Sequence, residues 1–264
     1  MTENVDKVPL IFFSGGLDST FLLIECLRTH DCEIVTVESN ILPPDGMKSQ
    51  AVAIDAILEK VKKLKQQNLI TGSVLNRYIV EWDYPHNVNT DNFKLSQIPI
   101  WFNTALWYVN RNKHNAVSLG YVINDDACYY LPHLTKAWKS MWKSCMHGEL
   151  VPMKFPLLEQ GYSKKSIIEI MSEEPLYEGI LSMISYCEFP EFIDDKWIPC
   201  GQCHCCYSMT LALNQPIAIE TQESENVFPK DKIEENVFDA WLNKTSNTLK
   251  QFCKDLIADN KPTK

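Results

Sequence analysis

Two groups of residues have the types and spacing to do chemistry. The first is SGGLDST, residues 14–20, directly after the apolar run VPLIFF. Paired glycines let a backbone curl tightly and bring amide N–H groups onto an anion with no Cβ in the way. A helix beginning at that point aims the positive end of its dipole at the same spot. Phe13, Ser14, Gly15, Gly16, Leu17, Asp18, Ser19 and Thr20 therefore form a candidate phosphate cradle, with hydroxyls from Ser14 and Ser19 and a carboxylate from Asp18. No GxxxxGK[ST] lysine follows these glycines and no GxGxxG is present, which excludes a Walker-type loop and a dinucleotide fingerprint. A glycine turn whose helix is capped by Ser19 is the purely structural alternative. The strand signal before it and the helix signal after it favour the cradle.

The second group is C-terminal, in SYCEFPEFIDDKWIPCGQCHCCYSM. Cys200 and Cys203 form a C-x2-C unit with a glycine inside it, Cys206 follows at the same interval, and Cys187 lies upstream. Thiolates spaced in this way converge on one tetrahedral ion, and four of them close a structural Zn2+ site with no open position. Buried packing or a redox disulfide is the alternative for four close cysteines. Cys205 and Cys206 are neighbours and cannot both face one ion; His204 is a substitute ligand only if its ring reaches past the turn. Cys26, Cys32, Cys128, Cys145 and Cys253 stand alone and are expected in the core.

Both groups need elements to hold them. Apolar, β-branched runs at 8–13, 33–39, 76–82 and 116–122 are expected strands, and VPMKFPLL could add a short fifth. Between them lie helical stretches beginning at Phe21, Ser49 and Trp101; in the second, Val52, Ile54, Ile57, Leu58, Val61 and Leu64 recur at three- and four-residue steps. Such alternation predicts a doubly wound α/β fold with a parallel sheet. Residues 1–125 are expected to form the α/β core. Residues 126–220 are expected to be a mostly helical, zinc-binding region packed on it, and 221–264 a polar link and a terminal amphipathic helix carrying Phe238, Trp241, Leu242, Leu249, Phe252 and Leu256.

Composition limits the partners. The 264 residues include 25 basic and 34 acidic side chains, a net charge of −9, which argues against a nucleic-acid-tracking surface or attraction to anionic membranes. No apolar run approaches the ~18 residues of a membrane span. The opening MTENVDKVPL lacks the apolar block of a secretory signal. Ten cysteines without such a signal suggest a reduced, cytoplasmic protein. The terminal amphipathic pattern and seven tryptophans are compatible with a homodimer.

The motif SGGLDS resembles the PP-loop of ATP pyrophosphatases, and its pairing with a late cysteine cluster resembles the 7-cyano-7-deazaguanine synthases, the QueC family. The likeness runs over residues 8–214 and is strongest at its ends. CGQCHCC matches the family's CGxC-x-S-C run with Cys205 where serine is usual, and Cys187 matches its upstream cysteine across a longer gap. GYVINDDACYY resembles the family's base-recognition segment, placing Asp125 on its aspartate and Tyr129 on its tyrosine. FPLLEQGYSKKSIIEI places Lys164 on the family's lysine, and IWFN keeps Asn103 while losing an arginine. Other expected residues are absent: LPHL replaces an aspartate-cysteine-arginine set, and Met209 stands in an arginine position.

The resemblance implies an adenine-nucleotide-α-hydrolase-like fold with ATP, Mg2+ and Zn2+ as cofactors. It implies that 7-carboxy-7-deazaguanine and ammonia become 7-cyano-7-deazaguanine through two adenylylations, of the carboxylate and then of the amide. Asp18 and Lys164 would be catalytic. Asn103, Asp125, Tyr129 and Lys164 would bind substrate: a carboxylate such as Asp125 accepts the parallel N1–H and amine donors of a deazaguanine, Tyr129 or Trp101 could stack on the ring, and Lys164 could neutralise charge built during adenylylation. Three alternatives remain beside this one. The chain could amidate the deazaguanine only, or transfer it to another acceptor. It could be a tRNA sulfur transferase with Cys205 as carrier, or a catalytically silent nucleotide-binding module.

Overall fold

The computed structural model describes residues 7–40, 42–83, 97–123, 125, 128 and 130–213. Five parallel strands form the central sheet: β1 (Val8–Phe12), β2 (Cys32–Ser39), β3 (Val74–Trp82), β4 (His114–Ser118) and β5 (Met153–Lys154), in the order β3-β2-β1-β4-β5. The expected fifth strand is only two residues long and pairs Met153 with Val117.

Alternate residues of each strand enter different cores. Leu10 and Phe12 of β1, with Val35 and Val37 of β2, face one side; Ile11 and Phe13, with Cys32 and Ile34, face the other. Helices cover both sides, which is why these strands read as continuous apolar runs instead of alternating ones. On the second side lie α1 (Leu17–Leu27) and α2 (Pro44–Gln66), packed through Phe21, Leu23, Ile54, Ile57, Val61 and Leu64. On the first lie α3 (Gln97–Tyr108) and α4 (Leu131–Cys145), packed through Phe102, Ala105, Trp138 and Trp142.

The connections β1–α1–β2 and β2–α2–β3 thus run over one face, and β3–α3–β4 crosses back over the other. Winding reverses between β1 and β4, and a doubly wound sheet opens its ligand crevice at that reversal, beyond the carboxyl ends of the strands. SGGLDST leaves β1 there.

Several boundaries differ from the sequence expectation. α2 starts at Pro44, because a proline in the first turn loses no hydrogen bond and its φ suits a helix. β4 ends at Ser118, and Gly120 turns the chain against the start of α1. Beyond it, α5 (Pro156–Glu159), α6 (Lys164–Glu173), a 3-10 turn (Pro175–Tyr177) and α7 (His204–Ala212) bear out a largely helical region. Its exception is an antiparallel hairpin of β6 (Glu191–Ile193) and β7 (Lys196–Ile198), turning through Asp194 and Asp195 at positive φ. Cys32 and Cys128 are buried as expected, but Cys145, the last residue of α4, is exposed. The expected link and terminal helix of 221–264, Cys253 included, lie outside the described residues, as does Tyr129. No described helix is long and apolar enough to cross a membrane.

Candidate functional site

The loop after β1 is shaped by its glycines and closed by its serines. Gly15 has φ +72, and a Cβ on it would stand 3.0 Å from Ile54 Cγ1 and 3.2 Å from Ile54 N, so α2 lies directly against the turn. Gly16 caps α1 with no side-chain bond, and the Thr20 amide reaches the Gly16 carbonyl at 3.0 Å. Amides of the first helical turn have no carbonyl one turn earlier, so those of Leu17, Asp18 and Ser19 face the crevice end of α1. Ser14 Oγ and Ser19 Oγ pair at 3.0 Å, and the Ser14 amide donates to Ser19 Oγ at 3.2 Å. The two hydroxyls therefore clasp the loop, and a phosphate would reach them by opening that clasp. Phe13 and Leu17 have buried apolar side chains and can offer a ligand only backbone, whereas the buried Thr20 Oγ1 has no hydrogen-bond partner.

Asp18 is the group the loop presents. Lys164 Nζ donates to Asp18 Oδ2 at 2.6 Å, with side chains 26% and 15% exposed respectively. The other oxygen, Asp18 Oδ1, is buried without a hydrogen-bond partner. A buried carboxylate oxygen left open is costly and suits a hard cation such as Mg2+, which takes one or two carboxylates and fills its shell with phosphate and water. Lys164 opens α6, whose start is fixed by a capping box between Ser163 and Ser166. Burial alone would lower the Lys164 pKa, but the Asp18 and Asp125 carboxylates outweigh it and raise the group above its ordinary value. The lysine stays charged.

Asp125 arrives from the other side of the crevice. The Ile123 amide donates to the Tyr162 carbonyl at 2.8 Å, and Ile123 bridges Ser163, which brings the segment after β4 beside the start of α6. Asp18 and Lys164 thus pair where β1, β4 and α6 converge, with Asp125 near enough for its charge to act on Lys164. Gly120 makes this possible: a Cβ there would lie 3.0 Å from the Asp18 carbonyl and the Ser19 amide. Asn103 is half-buried on α3, and no hydrogen bond among the described residues joins it to that trio. Trp101 has one ring face stacked on Phe12, centroids 5.4 Å apart, leaving at most the other for a ligand.

The cysteines gather as their spacing predicts. One Sγ each from Cys187, Cys200, Cys203 and Cys206 lies within 4.8 Å of the others. Cys200 and Cys206 are 3.9 Å apart, and Cys187 and Cys203 are 4.0 Å apart. A tetrahedron with metal–sulfur bonds of about 2.3 Å has edges near 3.8 Å, so the donors fit one ion. Backbone amides of Cys200, Cys203 and Cys206 point at the Cys187, Cys200 and Cys203 sulfurs at 3.2, 3.4 and 3.4 Å. Such N–H donors steady thiolates. Gly201, at φ +72, turns the chain between the first two ligands of the C-terminal run.

Three participants carried no sequence signal. The Ser185 amide donates to the Gly15 carbonyl at 3.0 Å, and Ser185 Oγ pairs with Ser49 Oγ at 3.1 Å. Glu188 approaches α2 at Gly46 and accepts from Cys205 Sγ at 3.7 Å. Cys205 therefore faces away from the four-sulfur cluster, toward the Lys164 side. Burial and the Glu188 carboxylate push its thiol up to about 12, against the pull of Lys164. Only its neighbours' spacing hinted that Cys205 would point elsewhere.

No family model matches the chain and no curated protein matches it. Among solved structures it is similar to the U34-tRNA thiolase NcsA from Methanococcus maripaludis with its 4Fe-4S cluster, at 15% identity and a TM-score of 0.38. The match covers 80% of this chain and 65% of that one.

Proposed function

We propose that the protein binds ATP on the SGGLDST loop, cleaves it between the α and β phosphates, and adenylylates the carboxyl of a 7-carboxy-7-deazaguanine. The observation that carries this reading is the Lys164–Asp18 pair at 2.6 Å, at the mouth of the glycine loop with Asp125 alongside.

In the first half-reaction the substrate carboxylate oxygen attacks the α-phosphorus, an O–P bond forms, and pyrophosphate leaves. The loop amides hold the departing β and γ phosphates, and Lys164 sits where charge grows on the α-phosphate. Asp18 Oδ1 would hold Mg2+, which would neutralise the phosphates. Ammonia then displaces AMP to give the amide. A second ATP adenylylates the amide oxygen, and loss of AMP with two protons leaves the nitrile. Asp125 accepts the paired donors of the base. The four cysteines would hold Zn2+ structurally: sulfurs within 4.8 Å suit a single ion, whereas a four-iron cube spreads its thiolates over separate irons.

The test is turnover. Purified protein with ATP, Mg2+, ammonium and 7-carboxy-7-deazaguanine should release AMP and pyrophosphate and form the nitrile. Nucleotide binding without substrate-dependent AMP would leave a silent module. A sulfur-transfer reading has one observation in its favour, the Cys205 thiol on the Lys164 side of the metal cluster. It meets resistance in the net charge of −9, since tRNA affinity rests on phosphate contacts.

A further inference from the structure

Strand β3 is the free edge of the sheet among the described residues, since β2 takes its other side. It is nine residues long, whereas the opposite edge, β5, has two. Proteins usually blunt long edges with lysine, proline or a bulge. VLNRYIVEW has no lysine or proline, and its pairing with β2 is regular from Asn76 onward. Apolar side chains stay open along it: Leu75 is 55% exposed and Ile79 54%, and Trp107 of α3, 65% exposed, stands against Trp82.

We propose that this edge pairs with β3 of a second copy of the chain, antiparallel about a twofold axis through Ile79. Charge selects that register. Residues directly opposite in an antiparallel pair share a face, so a twofold axis along the sheet normal must pass through a residue. Centring on Ile79 sets Ile79 against its own copy and Arg77 against Glu81 twice. It also sets Tyr78 against Val80, Asn76 against Trp82 and, past the end of the strand, Leu75 against Asp83. Centring on Tyr78 would oppose Arg77 to Ile79 and Leu75 to Glu81, and centring on Val80 would oppose Ile79 to Glu81. Both set Ile79, at the middle of the strand, against a charge.

Arg77 has donors to spare. Its Nη1 reaches Asp55 at 2.6 Å and its Nε reaches Thr36 Oγ1 at 3.3 Å, leaving Nη2 for a partner carboxylate. The pairing joins two five-stranded sheets into one of ten strands and leaves both ligand crevices outside the contact, because β3 lies two strands from β1. It is independent of the reaction assigned to the crevice.

The experiment is light scattering after size exclusion on the full chain, with two variants. The parent should have twice the chain mass. Glu81→Arg, an exposed change that keeps the melting profile, should shift the mass toward one chain by setting arginine against arginine. Ile79→Cys should form a disulfide-linked dimer under mild oxidant that the parent does not form. Leu75→Cys should not, because its two copies would stand about 27 Å apart along the strands. A parent that is monomeric at all concentrations overturns the proposal. So does a dimer indifferent to Glu81→Arg, or an Ile79→Cys variant that fails to cross-link.

Discussion

The amide of Ser185 donates to the carbonyl of Gly15 at 3.0 Å, tying the segment that supplies the first cysteine ligand to the tightest turn of the glycine loop. Two residues later comes Cys187, and one further Glu188 presses on α2 at Gly46. The four-sulfur cluster and the glycine loop are therefore one mechanical unit. Cys203→Ser removes a thiolate ligand while leaving an oxygen acceptor that can still cap α7. Metal content by mass spectrometry should fall from one ion per chain toward zero. The melting temperature should drop by more than ~5 °C, since ~1 kcal/mol moves a chain of this size by about 2–4 °C. ATP affinity should weaken with it. A mutant with a full complement of metal would show that the four-sulfur site is not the ligand set.

Lys164 and Asp18 can be separated by paired substitutions. Lys164→Ala strips the carboxylate of its ion-pair partner and removes the positive charge that the proposed reaction sets against the α-phosphate. Losing one such electrostatic contact costs on the order of 10²–10³ in turnover. Folding should suffer less, about 1–2 kcal/mol, because both side chains keep some water. Asp18→Asn should abolish AMP release while leaving the melting temperature close to the parent. Unchanged AMP release in either variant would displace the chemistry from this loop.

Gly120 offers a test that touches no functional side chain. Alanine there would put a methyl carbon 3.0 Å from the Asp18 carbonyl and the Ser19 amide, backbone atoms that cannot rotate away. Gly120→Ala should therefore push the start of α1 and raise the KM for ATP several-fold while the far-ultraviolet spectrum stays the same. Gly15→Ala should be worse. Its φ of +72 costs an L-residue about 1–2 kcal/mol, and Ile54 leaves the methyl no room.

What could be read in advance, and what could not, follows from the range of the forces involved. The β1–loop–α1 unit was legible because an apolar run, two glycines and a helix start lie close together along the chain. The cysteines were legible because ligand spacing is itself local. The early boundary of α2 was missed because Pro43 and Pro44 look like a loop until one sees that a first-turn proline loses no bond. The β6–β7 hairpin was missed because such short strands carry too little pattern. Glu188, Ser185 and the orphaned Asp18 Oδ1 had no signal at all. Each depends on which segments the fold lays side by side.

A trio at the opposite end of the sheet, buried Glu33 and His114 with half-buried Tyr78, predicts acid sensitivity. His114 Nδ1 accepts the Asn110 amide at 2.8 Å, so its proton sits on Nε2, 2.9 Å from Glu33 Oε2, and the Tyr78 hydroxyl donates to the same oxygen at 2.8 Å. Burial holds His114 below its ordinary 6.5, overriding the upward pull of Glu33. Burial would raise Glu33, but the Tyr78 and His114 hydrogen bonds prevail and hold it below its ordinary 4.5. In both cases the unfolded chain binds protons that the folded chain refuses. The stabilisation is complete above about pH 6.5 and is lost as pH falls, first through the histidine range and then through the carboxylate range. Urea midpoints measured from about pH 7.5 down to about 4 should decline along the series. His114→Gln keeps a donor for Glu33 and has no titration, so it should flatten the upper part of that decline. A parent profile that is level between about pH 7 and 5 would contradict the assignment.

Cys205 decides between the two chemistries the crevice could host. Its thiol reaches Glu188 and not the metal cluster, and burial with Glu188 nearby pushes it up to about 12, so it rests protonated at neutral pH. A protonated thiol is a poor nucleophile, which suits a packing role beside a site that activates a carboxylate. Cys205→Ser should therefore keep full metal content and change the rate of AMP formation by less than about threefold. A sulfur carrier cannot survive that change: the thiolate is the atom that holds and delivers sulfur, and an alcohol cannot replace it. Loss of product with metal and ATP binding intact would move the assignment from nitrile synthesis to sulfur transfer. Retained turnover would exclude the carrier role, because no other described cysteine outside the metal cluster shares the field of Lys164.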